Sequence, residues 1–413
     1  MMWEEWKKIW RPGRILLLVL LGYLFYAMFL EDYAYRLFSA DPQTQGMLAV
    51  SAELTDRYGT SLSEEEITEV YEYWLALCDQ MDMYVRGFEL AKKYGLDGYA
   101  AYKEFYTKTV ENVGEAAADQ NEAYMDAMRI ENYLNSEATG NILGRAQAAR
   151  HLLDCYETAW EFAADPDPTL LPYPFMYAEW TGEDIENMID TFYGEDALWQ
   201  NLLPAEVPMY TWSYMSSLCI WMCLSVCLLL SPLLVTDRMN RMQSLQYSSK
   251  RGRSVYRIQF GTAMLSAFVL STVNLCVFLG VFKTTGIGAF WENRMYSFIN
   301  IEGWICMMNW TYGTWYRILV VLAYLVALGV AALAFVLSRS SANYIVMLLK
   351  MIPMFLAAAF ICLFLFWQAF YYDNFIYSSV PVPYVEAYSA VLLFLTGLAC
   401  FCLSWRKLRV ADC

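Results

Sequence analysis

One histidine, His151, stands among 413 residues. That scarcity excludes a zinc protease, whose H-E-x-x-H helix needs two imidazoles one turn apart. A lone imidazole beside Leu152 on an amphipathic stretch reads as an ordinary surface or packing residue. There is no G-x-x-x-x-G-K-[ST] loop, so the chain cannot hold a nucleotide through a Walker motif, and no G-x-S-x-G elbow offers a serine nucleophile. Positive charge is also short: 28 Lys+Arg against 43 Asp+Glu leave a net charge of −15. Phosphate contacts need clustered cations, so a nucleic-acid binder is set aside. Charged residues of both signs make up only 17% of the chain, where a soluble protein carries about a quarter.

What the sequence has instead is apolar length. A hydrocarbon core of about 30 Å takes about 20 helical residues to cross, and six runs approach or exceed that: Ile15–Leu30, Ser213–Val235, Ile258–Phe282, Tyr316–Leu337, Tyr344–Phe370 and Val385–Ser404. The pattern predicts an all-α polytopic membrane protein with six transmembrane helices and a helical extracytoplasmic domain between spans 1 and 2. The expected divisions are a cytoplasmic N-terminus (1–14), span 1 (15–30), the extracytoplasmic domain (31–212), a five-span domain (213–404) with a cytoplasmic connector at 236–257, and a cytoplasmic tail (405–413). A secretory leader is the other reading of the first run, with a cleavage site near Leu37-Phe38-Ser39-Ala40. Its 16 bulky residues favour an uncleaved anchor in the cell membrane.

The flanking charges set the expected orientation. Lys7, Lys8, Arg11 and Arg14 precede span 1 and hold the N-terminus inside. Alternation then places Arg238, Arg241, Lys250, Arg251, Arg253, Arg257, Arg339, Arg406, Lys407 and Arg409 inside, while the short outer loops keep Lys283 and Arg294. That is the positive-inside asymmetry. The segment from Glu31 to Trp212 carries 35 of the acids and 10 of the bases, and a large domain translocates regardless of its charge. Its acidic surface reads either as a collar for cationic ligands or as plain solvation.

Within that segment Ser63-Glu64-Glu65-Glu66 has the form of a capping box. Behind it Ile67, Val70, Tyr71, Trp74, Cys78, Met81, Val85 and Phe88 predict a helix with one buried stripe, stopped by Gly95. Further helices are expected over about 97–134, with Gly114 a possible break, over 142–163, and over about 184–202 beyond a proline-rich stop that begins at Asp165. No period-two alternation argues for strands.

The remaining candidates for chemistry are few. Cys219, Cys223 and Cys227 recur every four residues along span 2, a spacing that suggests a soft-metal row; with no adjacent histidine or acid they read as small packing residues. Cys78 and Cys155 are the two cysteines of the outer domain, where a bridge is open. Lys350 lies inside a span near its inner end, close enough to the interface for its ammonium to snorkel. Asn274 in span 3 reads either as a bridge to a neighbouring helix or as part of a pathway.

The connector Leu233–Phe260 is amphipathic and basic, and by itself sets topology beside anionic lipid. Together with the span arrangement it resembles the permease subunits of type-2 exporter ABC transporters: one N-terminal span, a large outer insertion, then five spans. Asp237 matches the family's acid, Met242 its methionine, Ser248-Ser249 its hydroxyl pair and Arg251-Gly252-Arg253 its basic turn. Arg241 departs from the family's glycine, and the stretch Arg257–Gln259 from its lysine. The resemblance implies a permease with no catalytic, cofactor or metal residue of its own. It would pair with a second permease half, identical or not, and with separate ATPase subunits that bind ATP and Mg²⁺. In that picture Asp237, Met242, Ser248, Ser249, Arg251, Gly252 and Arg253 belong to the element that docks on the ATPase, and the aromatic loop Lys283–Trp315 lies partly in the outer membrane interface. The expected work is ATP-driven export or extraction of an amphipathic or peptide-like molecule. The competing class is a membrane receptor or assembly factor with a ligand-binding outer domain. An intramembrane enzyme is disfavoured by the lack of paired acids or a nucleophile with its base.

Overall fold

The computed structural model describes residues 2–35, 42–111, 122–164, 198–240, 252–300, 306–371, 374–380 and 382–410. Among these there are helices and three isolated bridges, at Ser61–Asn201, Arg294–Thr311 and Cys306–Tyr371, but no strand. The chain is an all-α polytopic membrane protein, with six helices long and apolar enough to cross a bilayer. A short helix α1 (Met2–Ile9) precedes them. Spans 1 to 6 run over Pro12–Tyr35, Glu206–Met239, Val255–Lys283, Tyr312–Ser340, Tyr344–Phe366 and Val385–Lys407.

Span 2 is the hub. Its apolar window is 78% buried, against 17% for spans 1 and 6, because spans 1, 3, 4 and 5 all pack on it. Span 6 joins through span 4, where Gly329 and Gly397 let the backbones touch. A Cβ on Gly397 would meet the Gly329 carbonyl oxygen at 2.7 Å and the Ala332 Cβ at 2.9 Å. Small residues permit this close approach, which favours helix pairing in a lipid environment.

Most span ends fall outside the apolar runs, since amphipathic turns extend each helix beyond the hydrocarbon. Span 5 is the opposite case: it stops at Phe366, short of the expected Phe370. Trp367 turns extended, and Gln368 and Phe370 take φ of 51° and 66°. Backbone in this left-handed region is unfavourable for such residues. It is held by specific partners: the Met307 amide donates to the Phe370 carbonyl at 2.7 Å, the Phe370 amide to Glu386 Oε1 at 2.9 Å, and Trp315 Nε1 to the Ala369 carbonyl at 2.9 Å.

The domain between spans 1 and 2 contains α2 (Pro42–Tyr58), α3 (Glu64–Gly87), α4 (Glu89–Lys93), α5 (Tyr99–Tyr106), α6 (Glu122–Leu134) and α7 (Ile142–Ala164). Helix α3 begins with the expected capping box: the Glu66 amide donates to Ser63 Oγ, and the Ser63 amide to Glu66 Oε2 at 2.8 Å. It ends eight residues before Gly95. Phe88 is extended, which turns its ring onto Tyr133 at a centroid distance of 4.1 Å and an interplanar angle of 5°. Of the expected stripe, Val70, Met81 and Val85 are buried and Leu77 joins them, whereas Tyr71 is exposed. Helix α2, which carries no strong apolar period, crosses α7 where a Cβ on Gly46 would fall inside the Gly144 backbone.

The expected helix at 184–202 lies largely outside the described residues; Leu198–Gln200 is a short 3₁₀ turn. The domain rests on the loop after span 3. Asn293 donates to Thr55 Oγ1 at 3.2 Å and to the Leu202 carbonyl, and the Leu203 amide donates to Ser297 Oγ at 3.0 Å. Phe298, packed edge-on against Tyr156 of the domain, and Tyr296 are buried inside the protein, and Trp315 is buried within the bundle against Tyr312 and Tyr371.

Candidate functional site

The residues of chemical interest converge where the span 2–3 connector leaves the bundle. Helix α1 is eight residues long, and its Glu5 and Ile9 point inward. Ile9 enters an apolar cluster with Leu18, Val226, Leu229 and Ala263, which draws α1 against spans 2 and 3. Trp10 Nε1 adds a hydrogen bond to Ser266 Oγ at 3.1 Å. That docking buries Glu5 beside two polar residues of the spans, Asp237 near the end of span 2 and Gln259 near the start of span 3; they are 5%, 6% and 2% exposed.

Lys8 supplies the countercharge. Its Nζ lies 2.9 Å from Glu5 Oε1 and 3.7 Å from Asp237 Oδ2. The Gln259 side-chain amide donates to Glu5 Oε2 at 3.3 Å and to Asp237 Oδ2 at 3.2 Å. Burial pushes the Lys8 ammonium down, but its hydrogen bond to Glu5 and the charge of Asp237 outweigh this and hold it above the ordinary lysine value. Two carboxyl groups thus share one ammonium and one amide, with the carboxyls buried and the Lys8 side chain 29% exposed, an arrangement that tolerates loss of the lysine poorly. The group clasps α1, span 2 and span 3 together. It ties the three helices through side chains alone.

Around it the same end of the bundle is tied by further contacts. Arg339 stacks over Tyr256 at 4.2 Å, Arg257 lies over Trp405 at 5.2 Å, and Tyr256 donates to Ser404 Oγ at 3.1 Å. Arg238 donates to the Ser341 carbonyl at 3.3 Å, and Thr236 pairs with the Tyr344 hydroxyl at 2.8 Å.

Of the connector residues singled out by sequence, Asp237 is the one whose side chain is described, and it is buried. Met242, Ser248, Ser249 and Arg251 lie outside the described residues. Gly252 and Arg253 open the span 3 helix, and their side-chain surroundings fall outside the description. Sequence reasoning overlooked Glu5, Lys8 and Gln259 as partners of Asp237. The available signal was a polar residue in the last turn of span 2 and another near the start of span 3, together with a Glu–Lys pair three residues apart ahead of span 1.

The other candidates resolve individually. Lys350 reaches the Ser340 carbonyl at 3.1 Å and its hydroxyl at 2.9 Å, so the ammonium caps the end of span 4 as snorkelling predicts. Asn274 bridges helices: it accepts from Trp221 Nε1 at 3.1 Å and donates to Ser225 Oγ at 3.0 Å. It also borders an apolar groove of about 500 Å³ between spans 1 and 3. His151 is exposed, and Cys78 and Cys155 are not bridged to one another. Cys219 and Cys223 meet Cys362 of span 5, while Cys227 stands apart from that group.

Comparison with known proteins finds no family model, no curated protein and no solved structure that matches this chain.

Proposed function

We propose that this chain is the membrane subunit of an ATP-driven transporter of the type-2 exporter kind, moving an amphipathic or peptide-like molecule while separate subunits hydrolyse ATP with Mg²⁺. The observation that carries the reading is the clasp of Glu5, Lys8, Asp237 and Gln259 at the root of the connector. A force applied to the connector reaches span 2, span 3 and α1 at once, which is what a subunit driven from outside its own chain requires. The positive-inside pattern puts this end in the cytoplasm, with both termini, and the acidic domain outside the cell membrane. A second permease half completes the pathway.

The test is purification of the tagged chain in mild detergent, identification of co-purifying subunits and an ATPase assay. Recovery of a stoichiometric Walker-motif subunit whose hydrolysis falls when Asp237, Arg251 or Gly252 is replaced supports the reading. Retained transport and stimulated hydrolysis in all three replacements would remove the coupling role.

One observation favours a second reading, a receptor. The domain carries an open groove of about 450 Å³ between α3 and α7, lined by Glu64, Tyr71, Arg150, Tyr156, Glu157 and Trp160. Recovery of a kinase or regulator in place of an ATPase would favour it.

A further inference from the structure

Spans 2 and 5 bring three thiols together in the interior of the bundle. Cys219 and Cys223 lie one turn apart on span 2 and so share a face. Cys362 enters from span 5. Its Sγ is 3.5 Å from that of Cys219 and 4.0 Å from that of Cys223, and all three sulfurs lie within 4.8 Å of one another. Each residue is fully buried. Ser216 Oγ donates to the Cys362 carbonyl at 3.4 Å, which fixes the register between the two spans. The spacing along span 2 does not by itself make this site, since Cys227 continues the row yet is not in the group. The third corner comes from a residue 139 positions away.

We propose that Cys219, Cys223 and Cys362 form a binding site for one soft monovalent cation of the Cu(I) class. Metal–thiolate bonds are about 2.3 Å, so three sulfurs around one ion in a plane stand about 4 Å apart. The observed triangle is already close to that size. Sulfur is the only donor type in the group, which selects soft ions, whereas Zn²⁺ adopts four ligands. Metal-bound cysteine is the thiolate, so uptake of the ion releases the protons of the thiols that ligate it. Binding involves no change of oxidation state. The inference is independent of the transport reading, because it rests on the thiols alone.

The test uses the full chain, purified in detergent under anaerobic, reducing conditions, with the half-buried or exposed thiols Cys78, Cys276, Cys400 and Cys402, and also Cys413, replaced by serine. It is titrated with Cu(I) against a competing Cu(I) chelator, and the loaded protein is examined by X-ray absorption. The expected result is one copper per chain with three sulfur neighbours at about 2.3 Å. Affinity is expected to fall at least 100-fold in Cys362→Ala and in Cys219→Ala, and to stay unchanged in Cys227→Ala, all three eluting like the parent chain. No retained copper, copper scattering dominated by nitrogen or oxygen, or undiminished binding in the Cys362 variant would overturn it. So would a Cys362 disulfide in freshly isolated, alkylated protein. The coordination measurement decides on the parent chain even where a variant fails to fold.

Discussion

In the domain between spans 1 and 2, charged side chains meet at the surface, Arg57 with Glu69 at 2.7 Å and Arg145 with Glu53 at 2.7 Å, while Lys93 reaches the buried Asp126 carboxyl at 2.6 Å. In the bundle, hydroxyls turn inward onto backbone or one another. Tyr214 donates to the Phe278 carbonyl at 2.7 Å, Ser338 to the Ser231 carbonyl at 2.6 Å, and Thr211 pairs with Tyr312 at 2.7 Å. Among the described residues the bundle's ion pairs are confined to the clasp around Asp237. The difference follows from the solvent. Water competes for the domain's charges, so each exposed pair is worth about 1 kcal/mol or less. Lipid offers no competing partner, so these hydroxyls of the bundle are paired inside the protein.

Both regions nevertheless rely on glycine where helices cross, and this supplies the largest contrast. Gly46→Ala sets a methyl against the fixed backbone of Gly144, and we expect a loss of about 3 kcal/mol in domain stability, seen as new protease cuts within residues 42–164. Gly397→Ala also meets backbone-fixed atoms, the Gly329 carbonyl oxygen at 2.7 Å and the Ala332 Cβ at 2.9 Å, but the overlap is shallower than the 2.2 Å at Gly46, and about 1–2 kcal/mol is expected in detergent unfolding. Equal losses would break the comparison.

Next in size is the clasp. Lys8→Met leaves Glu5 and Asp237 buried with Gln259 alone. We expect about 2 kcal/mol, read as faster amide exchange in α1, whereas Arg57→Ala in the domain changes stability by under about 0.5 kcal/mol.

The two charge systems also answer pH in opposite directions. Hydrogen bonds from Lys93 hold the Asp126 carboxyl below its ordinary value. Its contribution is therefore present above about pH 4 and lost as pH falls through the lower, folded value. Lys8 is held above its ordinary value. Its contribution is complete below about pH 10.5 and lost as pH rises through the folded value. Acid should therefore loosen the domain first and strong alkali the N-terminal helix. Limited proteolysis across pH reads both, and identical profiles would contradict the assignment.

The smallest expected effect is Asn274→Leu. Interhelical hydrogen bonds in membranes average about 0.6 kcal/mol, so the variant should unfold within about 1 kcal/mol of the parent, with altered fluorescence from Trp221.

Legibility in the sequence divides along the same line. The six spans were readable because an unbroken apolar run has few alternatives, and the α3 start because Ser63 and Glu66 form a local device. Helix α2 was missed: its contact with α7 depends on Gly46 and Gly144, a pairing across 98 positions that no periodicity announces. The end of span 5 was misplaced because Phe366, Trp367 and Phe370 are equally apolar, and the turn is imposed by partners such as Glu386 and Met307. Asp237 was legible as a residue of interest, but its partners were not, since Glu5 and Gln259 reach it only through the packing of Ile9 and Trp10.

The sequence distance inside the clasp has a consequence for biosynthesis. Glu5 is made before its amide partner Gln259, which lies 254 positions later. Until span 3 leaves the ribosome the pocket that receives α1 is unfinished. The last step in seating the first helix therefore waits on the middle of the chain, so nascent chains halted before span 3 should expose α1 to protease while full-length chains protect it.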